Sequence, residues 1–371
     1  MLGRPAPHLR SAIVATVQAW PDLGVGLVVS ALAGLATAAL CPPVIRWLER
    51  RSVLDVPVAR SSHDTPTLRG GGLAPAIAMT IAGLVASLIA PRLGLAIVWV
   101  AVGFGAIGLL EDLVGVETKK RLASQVLVAA VGLVPLAGPT LDRLEVAIAL
   151  AVLAVGLVWY VAYVNAFNFM DGINGISGAQ ATVAGFAYLC IGLLQGEPVL
   201  VAFGGIIAAA SIGFLPFNFP SARVFLGDTG SYFLGGWLAS LAAVALVVGI
   251  PLFAVVAPLA LYLADTGITL TRRALRGAAV MEPHREHVYQ RLVIQGWSHT
   301  RATCIVAALI ALCSVIGGVA LIDASWATPV AAAGLALAVF GYLALPRLQR
   351  TAGPSSPAPS RPMMTQGLRH Q

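Results

Sequence analysis

The polar residues suited to chemistry fall in a few short stretches between apolar runs. Glu111-Asp112 closes one such run and is followed by Lys119-Lys120-Arg121. Two adjacent acids at the end of an apolar helix are costly to keep unless they face a polar cavity, bind a cation or exchange protons. Asn165-Ala-Phe-Asn168-Phe-Met-Asp171-Gly172-Ile-Asn174-Gly175 combines amides, which donate and accept at once, with glycines that bend a chain around a ligand. Phe217-Asn218-Phe-Pro220-Ser-Ala-Arg223-Val-Phe225-Leu-Gly227-Asp228-Thr229-Gly230-Ser231 puts an acid at a glycine-flanked turn into the next apolar run. There Asp228 is suited to holding Mg²⁺ while phosphate oxygens complete the shell, and equally to capping the helix.

Two basic stretches complete the set. Arg69-Gly70-Gly71-Gly72, preceded by Arg60 and His63, pairs a fixed positive charge with backbone that can approach a phosphate closely. Residues 271–301 hold Arg272, Arg273, Arg276, His284, Arg285, His287 and Arg291, a cluster suited to a diphosphate or to anionic lipid headgroups.

What positions these stretches is a membrane. The 371 residues are 58% apolar and only 11% charged, with mean hydropathy +0.88, against roughly a quarter charged in ordinary globular domains, which excludes a soluble fold. The apolar runs approach the ~20 residues that cross a bilayer and do not alternate as barrel strands would. We expect an all-α, polytopic bundle of about eleven spans, ten being an acceptable count: 23–47, 72–90, 94–110, a short fourth at 125–138, then 146–164, 179–195, 198–217, 231–248, 251–270, 302–322 and 326–345. Residues 1–22 read as an extracytoplasmic segment, 23–346 as the membrane domain and 347–371, rich in Pro and Ser, as a disordered cytoplasmic tail.

Nineteen of the 23 lysines and arginines lie on the side that carries the polar stretches, which predicts a cytoplasmic working face. The net charge of +7 thus reads as topology, with no nucleic-acid partner. The four cysteines form no CxxC pair and read as small buried hydrophobes.

In this order, the stretches between residues 40 and 295 resemble the polyprenyl-phosphate N-acetylhexosamine-1-phosphate transferases, the superfamily that includes phospho-MurNAc-pentapeptide transferase. His284-Arg-Glu-His287-Val-Tyr-Gln-Arg-Leu292 is most similar to the branch that initiates O-antigen and surface polysaccharides. The resemblance implies transfer of a HexNAc-1-phosphate from a UDP-sugar to undecaprenyl phosphate, with release of UMP, in a bacterial inner membrane. It implies Mg²⁺, or Mn²⁺, as cofactor and suggests a homodimer.

By the same resemblance Asp228 matches the metal-binding acid, and Glu111-Asp112 stands where the family has paired aspartates, expected as catalytic residues at the acceptor phosphate or in outer contacts to the metal. His287, with Arg285, opens the histidine loop. Asn165, Asn168 and Asp171 match a nucleotide-sugar loop, with Asn218 a further substrate contact, and Arg69 and Arg121 meet phosphates. Two departures stand out: Glu111 replaces the first aspartate, and Tyr289 and Gln290 replace two later histidines. The competing expectations are a secondary transporter, which usually places its ionisable groups near the midplane, and a non-catalytic lipid-headgroup binder.

Overall fold

The computed structural model describes residues 7–55, 65–142, 144–279 and 284–351. Arg60 and His63, and the tail beyond 351, lie outside the described residues. The order is α1 (Pro7–Arg51), β1 (Leu54–Asp55), β2 (Thr67–Arg69), α2 (Leu73–Ala86), α3 (Pro91–Val114), α4 (Thr118–Leu141), α5 (Val146–Met170), α6 (Ile176–Gln195) and α7 (Pro198–Asn218). Then come β3 (Val224–Phe225), α8 (Gly227–Val247), α9 (Leu252–Val256), a 3₁₀ turn, α10 (Ala260–Leu275), α11 (Val288–Ile294), α12 (His299–Gly318), a second 3₁₀ turn and α13 (Ala327–Thr351).

Ten helices among the described residues are long and apolar enough to cross a membrane. The eleventh expected span is α2, whose 14 residues reach only about 21 Å, short of a bilayer core of roughly 30 Å. The fourth span is longer than its apolar stretch: α4 starts at Thr118 and carries Lys119, Lys120 and Arg121 in its first turn, where long cationic side chains reach the polar interface. The ninth is broken, passing from α9 through a turn containing Pro258 into α10.

Burial identifies the middle of the bundle. In α8, 83% of the most apolar window is buried, against 17% in α5 and in α13. A helix buried all round packs against neighbours on every side, and α8 packs chiefly on α3 and α5. Gly108 of α3 permits the closest approach, since a Cβ there would stand 2.1 Å from the Asp228 carbonyl oxygen. One turn further along α3 comes Asp112, so this contact sets where the acid meets the start of α8.

A small sheet absent from the sequence reading finishes the polar end. β1 pairs antiparallel with β2, and β2 runs parallel to β3 with Leu68 opposite Val224 and Arg69 opposite Phe225. The pairing carries Arg69 to the mouth of α8. Because helices alternate in direction, the ends of α1, α3, α5, α7 and α10 and the starts of α2, α4, α6, α8 and α12 share this end of the bundle.

Gly108→Ala would force α3 away from α8, and we expect a loss of roughly 1–3 kcal/mol in stability. Gly341 of α13 meets nothing within 4 Å, so Gly341→Ala should be neutral or gain up to about 1 kcal/mol from helix propensity. Thermal unfolding of both variants in detergent checks the contrast.

Candidate active site

The two adjacent acids at the end of α3 face different ways. Asp112 accepts from the Asp228 amide at 3.0 Å, from the Thr229 amide and hydroxyl at 2.8 Å each, and is paired with Arg69 Nε at 2.8 Å. Its four acceptor positions are taken, and its side chain is only 2% exposed. A carboxylate on the first amides of a helix meets groups that have no partner within the helix and the positive end of its dipole. Asp112 thus caps α8 from a neighbouring helix. The turn before it demands glycine: Gly227 has φ +75°, and a Cβ there would stand 2.8 Å from Asp112 Oδ2.

Asp228, fixed by that cap, is less committed. Its Oδ1 accepts from Asn168 Nδ2 at 2.9 Å and pairs with Arg69 Nη2 at 3.0 Å, while no hydrogen bond among the described residues reaches Oδ2. Asn168 also meets the Ser231 hydroxyl at 2.9 Å. Arg69 therefore bridges Asp112 and Asp228 with one guanidinium. Glu111 turns the other way, pairing with Arg121 Nη1 at 3.0 Å and accepting from the Val116 amide at 2.8 Å.

Beside this cluster an apolar cleft of about 380 Å³ runs between α4, α5 and α10. Leu122, Val161, Leu263 and Leu270 line it, Arg121 stands in its wall, and Asn165 and Gln125 form a polar pair inside it at 2.7 Å. Asn165 therefore meets α4 across the cleft, while its neighbour Asn168 meets Asp228. Gln125 and Thr266 each hold a buried polar atom with no hydrogen-bond partner among the described residues, Nε2 and Oγ1 respectively. These two residues did not stand out in the sequence, where they lie beside Ser124 and Asp265 at the edges of apolar runs.

The remaining residues frame the site. Asn218 accepts from the Gly175 amide at 2.8 Å and donates to the Val224 carbonyl at 2.9 Å, tying the loop after α5 to β3. His287 starts α11, where Gln290 accepts from its amide at 3.2 Å and the Tyr289 hydroxyl donates to the Phe169 carbonyl at 3.2 Å. The two residues that replace histidines thus hold the turn on which His287 stands. Arg285 lies in the strap before it.

Salt bridges from Arg273 and Arg276 to Glu286 clamp that strap to the end of α10. The hydrogen bond from Arg276 and the burial that opposes it leave the Glu286 carboxyl below its ordinary range. Burial, followed by the charge of His287, lowers the His284 imidazole. Burial pushes the Asp171 carboxyl up to about 7; the Ser177 hydroxyl opposes the rise and the Asp228 charge adds to it.

An acid held in this way, among arginines and amides at one end of a polytopic helical bundle and near an apolar cleft, is chemically suited to a substrate that is part anion and part lipid. Residues 94–247 match the sequence model of glycosyl transferase family 4. Over 301 residues the chain is 29% identical to the probable undecaprenyl-phosphate N-acetylglucosaminyl 1-phosphate transferase of Bacillus subtilis, an alignment covering 76% of this chain and 81% of that protein. It is 30% identical over 329 residues to the decaprenyl-phosphate N-acetylglucosaminephosphotransferase of Mycobacterium tuberculosis, covering 76% and 80%. With the phospho-N-acetylmuramoyl-pentapeptide-transferase of Symbiobacterium thermophilum it shares 29% identity over 311 residues, covering 74% and 88%. The chain belongs to the polyprenyl-phosphate N-acetylhexosamine-1-phosphate transferase superfamily.

Asp171 yields a prediction with a definite sign. Its folded-state value near 7, against an ordinary 3.8, means that the native state holds a proton that the unfolded chain has lost between those values. Stability therefore falls as pH rises through that window. Asp171→Asn removes the penalty, so its thermal midpoint should exceed the parent's at pH 8 and lie closer to it at pH 5. Unfolding curves at the two values check this.

Proposed function

We propose that the protein transfers a HexNAc-1-phosphate from a UDP-N-acetylhexosamine, UDP-GlcNAc or a related amino sugar, to undecaprenyl phosphate. UMP is released, and the lipid-linked sugar starts a surface polysaccharide, O-antigen or a cell-wall glycan. The reaction runs on the cytoplasmic face of the bacterial inner membrane, in keeping with the excess of Lys and Arg at that end. One observation carries the reading: a half-committed acid, Asp228, with an amide and a guanidinium upon it, stands beside an apolar cleft with Arg121 in its wall.

The residues present suit Mg²⁺. Mg²⁺ is commonly held by one or two carboxylates, with substrate phosphates completing its shell. Asp228, whose Oδ2 accepts no hydrogen bond among the described residues, would hold it, and the Asn168 amide would keep that carboxylate oriented. Bound there, the ion offsets the negative charge of the two phosphate substrates.

In the transfer, an oxygen of the lipid phosphate attacks the sugar-bearing phosphorus of the donor. The bond from that phosphorus to the UMP oxygen breaks, and UMP leaves with the electron pair. Such a transfer needs alignment and charge more than covalent chemistry. Arg121 meets the acceptor phosphate at the cleft, Arg69, Arg285 and His287 meet the donor diphosphate, and Asn165, Asn168, Asp171 and Asn218 shape the nucleotide-sugar side. Glu111 keeps Arg121 in place, and Asp112 supports Asp228 through the α8 cap.

The test is lipid-extractable label from radiolabelled UDP-GlcNAc, UDP-GalNAc and their 6-deoxy relatives with undecaprenyl phosphate. At least one donor should label lipid in a Mg²⁺-dependent way, and Asp228→Asn should lower the rate at least about 100-fold. Near-normal turnover by Asp228→Asn would remove the metal assignment. No labelled lipid with any donor would sink the reading.

The cleft has its own test. Gly267 lines it, and a Cβ there would meet nothing within 4 Å. Gly267→Phe should raise KM for the lipid acceptor about tenfold while leaving KM for the nucleotide sugar within about twofold. Equal shifts in both would place the lipid elsewhere.

A further inference from the structure

Asp265 lies in α10, wholly buried, and no step of the transfer uses it. Its carboxylate collects donors from three places outside its own turn. His287 Nδ1 stands 3.1 Å away, the Val288 amide reaches both oxygens at 3.0 and 3.1 Å, and the Tyr342 hydroxyl donates at 2.7 Å. Thr269, one turn along, adds its hydroxyl at 3.2 Å. A buried carboxylate without donors is expensive, so this convergence makes Asp265 the point where α10, the start of α11 and α13 are locked together.

The chemistry of the contact has a direction. An ionised carboxylate only accepts, so the His287 nitrogen facing it, Nδ1, must carry hydrogen. Nε2 is then the ring atom left for other partners. A carboxylate at Nδ1 fixes both the tautomer and the orientation of an imidazole. Phe169, at 6.5 Å, and Tyr289, at 6.1 Å between ring centroids, stack on the His287 ring and restrict its rotation. Tyr342 is itself fully buried, although the helix that carries it is among the least buried of the bundle. Its hydroxyl ties a peripheral helix to Asp265, alongside the bond from Gln295 Nε2 to the Pro346 carbonyl at 3.0 Å.

We propose that Asp265 and Tyr342 are a positioning pair for His287: they hold the proton on Nδ1, direct Nε2 toward the donor diphosphate, and so make the last helix of the bundle a support of the active site. The proposal rests on the transferase reading only for the role of Nε2. The protonation of Nδ1 stands apart from it.

Two measurements test the pair. In nanodiscs, with [¹⁵N]histidine and the His287 signals assigned by their loss in His287→Ala, Nδ1 should be protonated in the parent and in Tyr342→Phe. In Asp265→Ala the proton should be shared with Nε2; an unchanged spectrum there would overturn the proposal. The second is a double-mutant cycle on lipid labelling. Asp265→Ala should lower kcat about 10- to 100-fold and Tyr342→Phe about threefold, each with KM for the nucleotide sugar within about twofold. In a His287→Ala background neither should cost anything further.

Losses of the same size in both backgrounds would show a role in folding alone and overturn the proposal. Tyr342→Phe removes one hydroxyl from a packed ring, so it carries the double-mutant cycle if Asp265→Ala does not fold, and a parent spectrum without hydrogen on Nδ1 would by itself overturn the proposal. A parent protein that labels no lipid would count against the transferase reading, while the nitrogen spectra would still decide the positioning.

Discussion

Asp112 places a buried negative charge against the first amides of the most enclosed helix, and the cost of burying that charge explains much of what surrounds it. Removing one partner of a buried charged group costs about 3–5 kcal/mol, since the other is left uncompensated. The Asp112 oxygens are therefore met by the Asp228 and Thr229 amides, the Thr229 hydroxyl and Arg69. Each of these needs something further. The amides need α8 to start at Gly227 with a left-handed φ, Arg69 needs β2 paired with β3, and α3 needs Gly108 to come close enough.

The histidine end repeats this construction on a smaller scale. A buried carboxylate on one helix, Asp265, meets the first amide of another, α11, and the side chain just before that amide is His287. In both places the buried acid spends its lone pairs on framework, leaving a neighbouring group with an open atom: Asp228 Oδ2 in one case, His287 Nε2 in the other. Rigid placement of a few polar groups at the end of an apolar bundle is what transfer between two anionic substrates requires.

Much of the helical architecture was legible because an apolar run near 20 residues admits few structures other than a spanning helix. The start of α4 was not, since Lys119, Lys120 and Arg121 ended the apolar stretch while the helix began before them. The sheet that delivers Arg69 was beyond reach: its strands have two or three residues, and β2 and β3 are more than 150 positions apart. Residue types announced the neighbourhood of Asp112, Asn168 and Asp228, because acids and amides stand out in apolar sequence. Which of the acids would be saturated and which left open depended on contacts between distant helices. Gln125, Thr266 and Tyr342 gave no signal, since a hydroxyl or amide within or at the edge of an apolar run does not show which neighbour it will meet.

The proposed function divides labour between two acids 116 positions apart: Asp112 holds α8, and Asp228 would meet the ion and the substrate. Anomalous diffraction at the manganese edge, from crystals grown with Mn²⁺ and UDP, tests it most directly. The account predicts one strong peak within coordination distance of Asp228, with Asp112 still on the α8 amides. A peak coordinated by Asp112, with its hydrogen bonds to Thr229 broken, or one seated between Glu111 and Arg121, would contradict it.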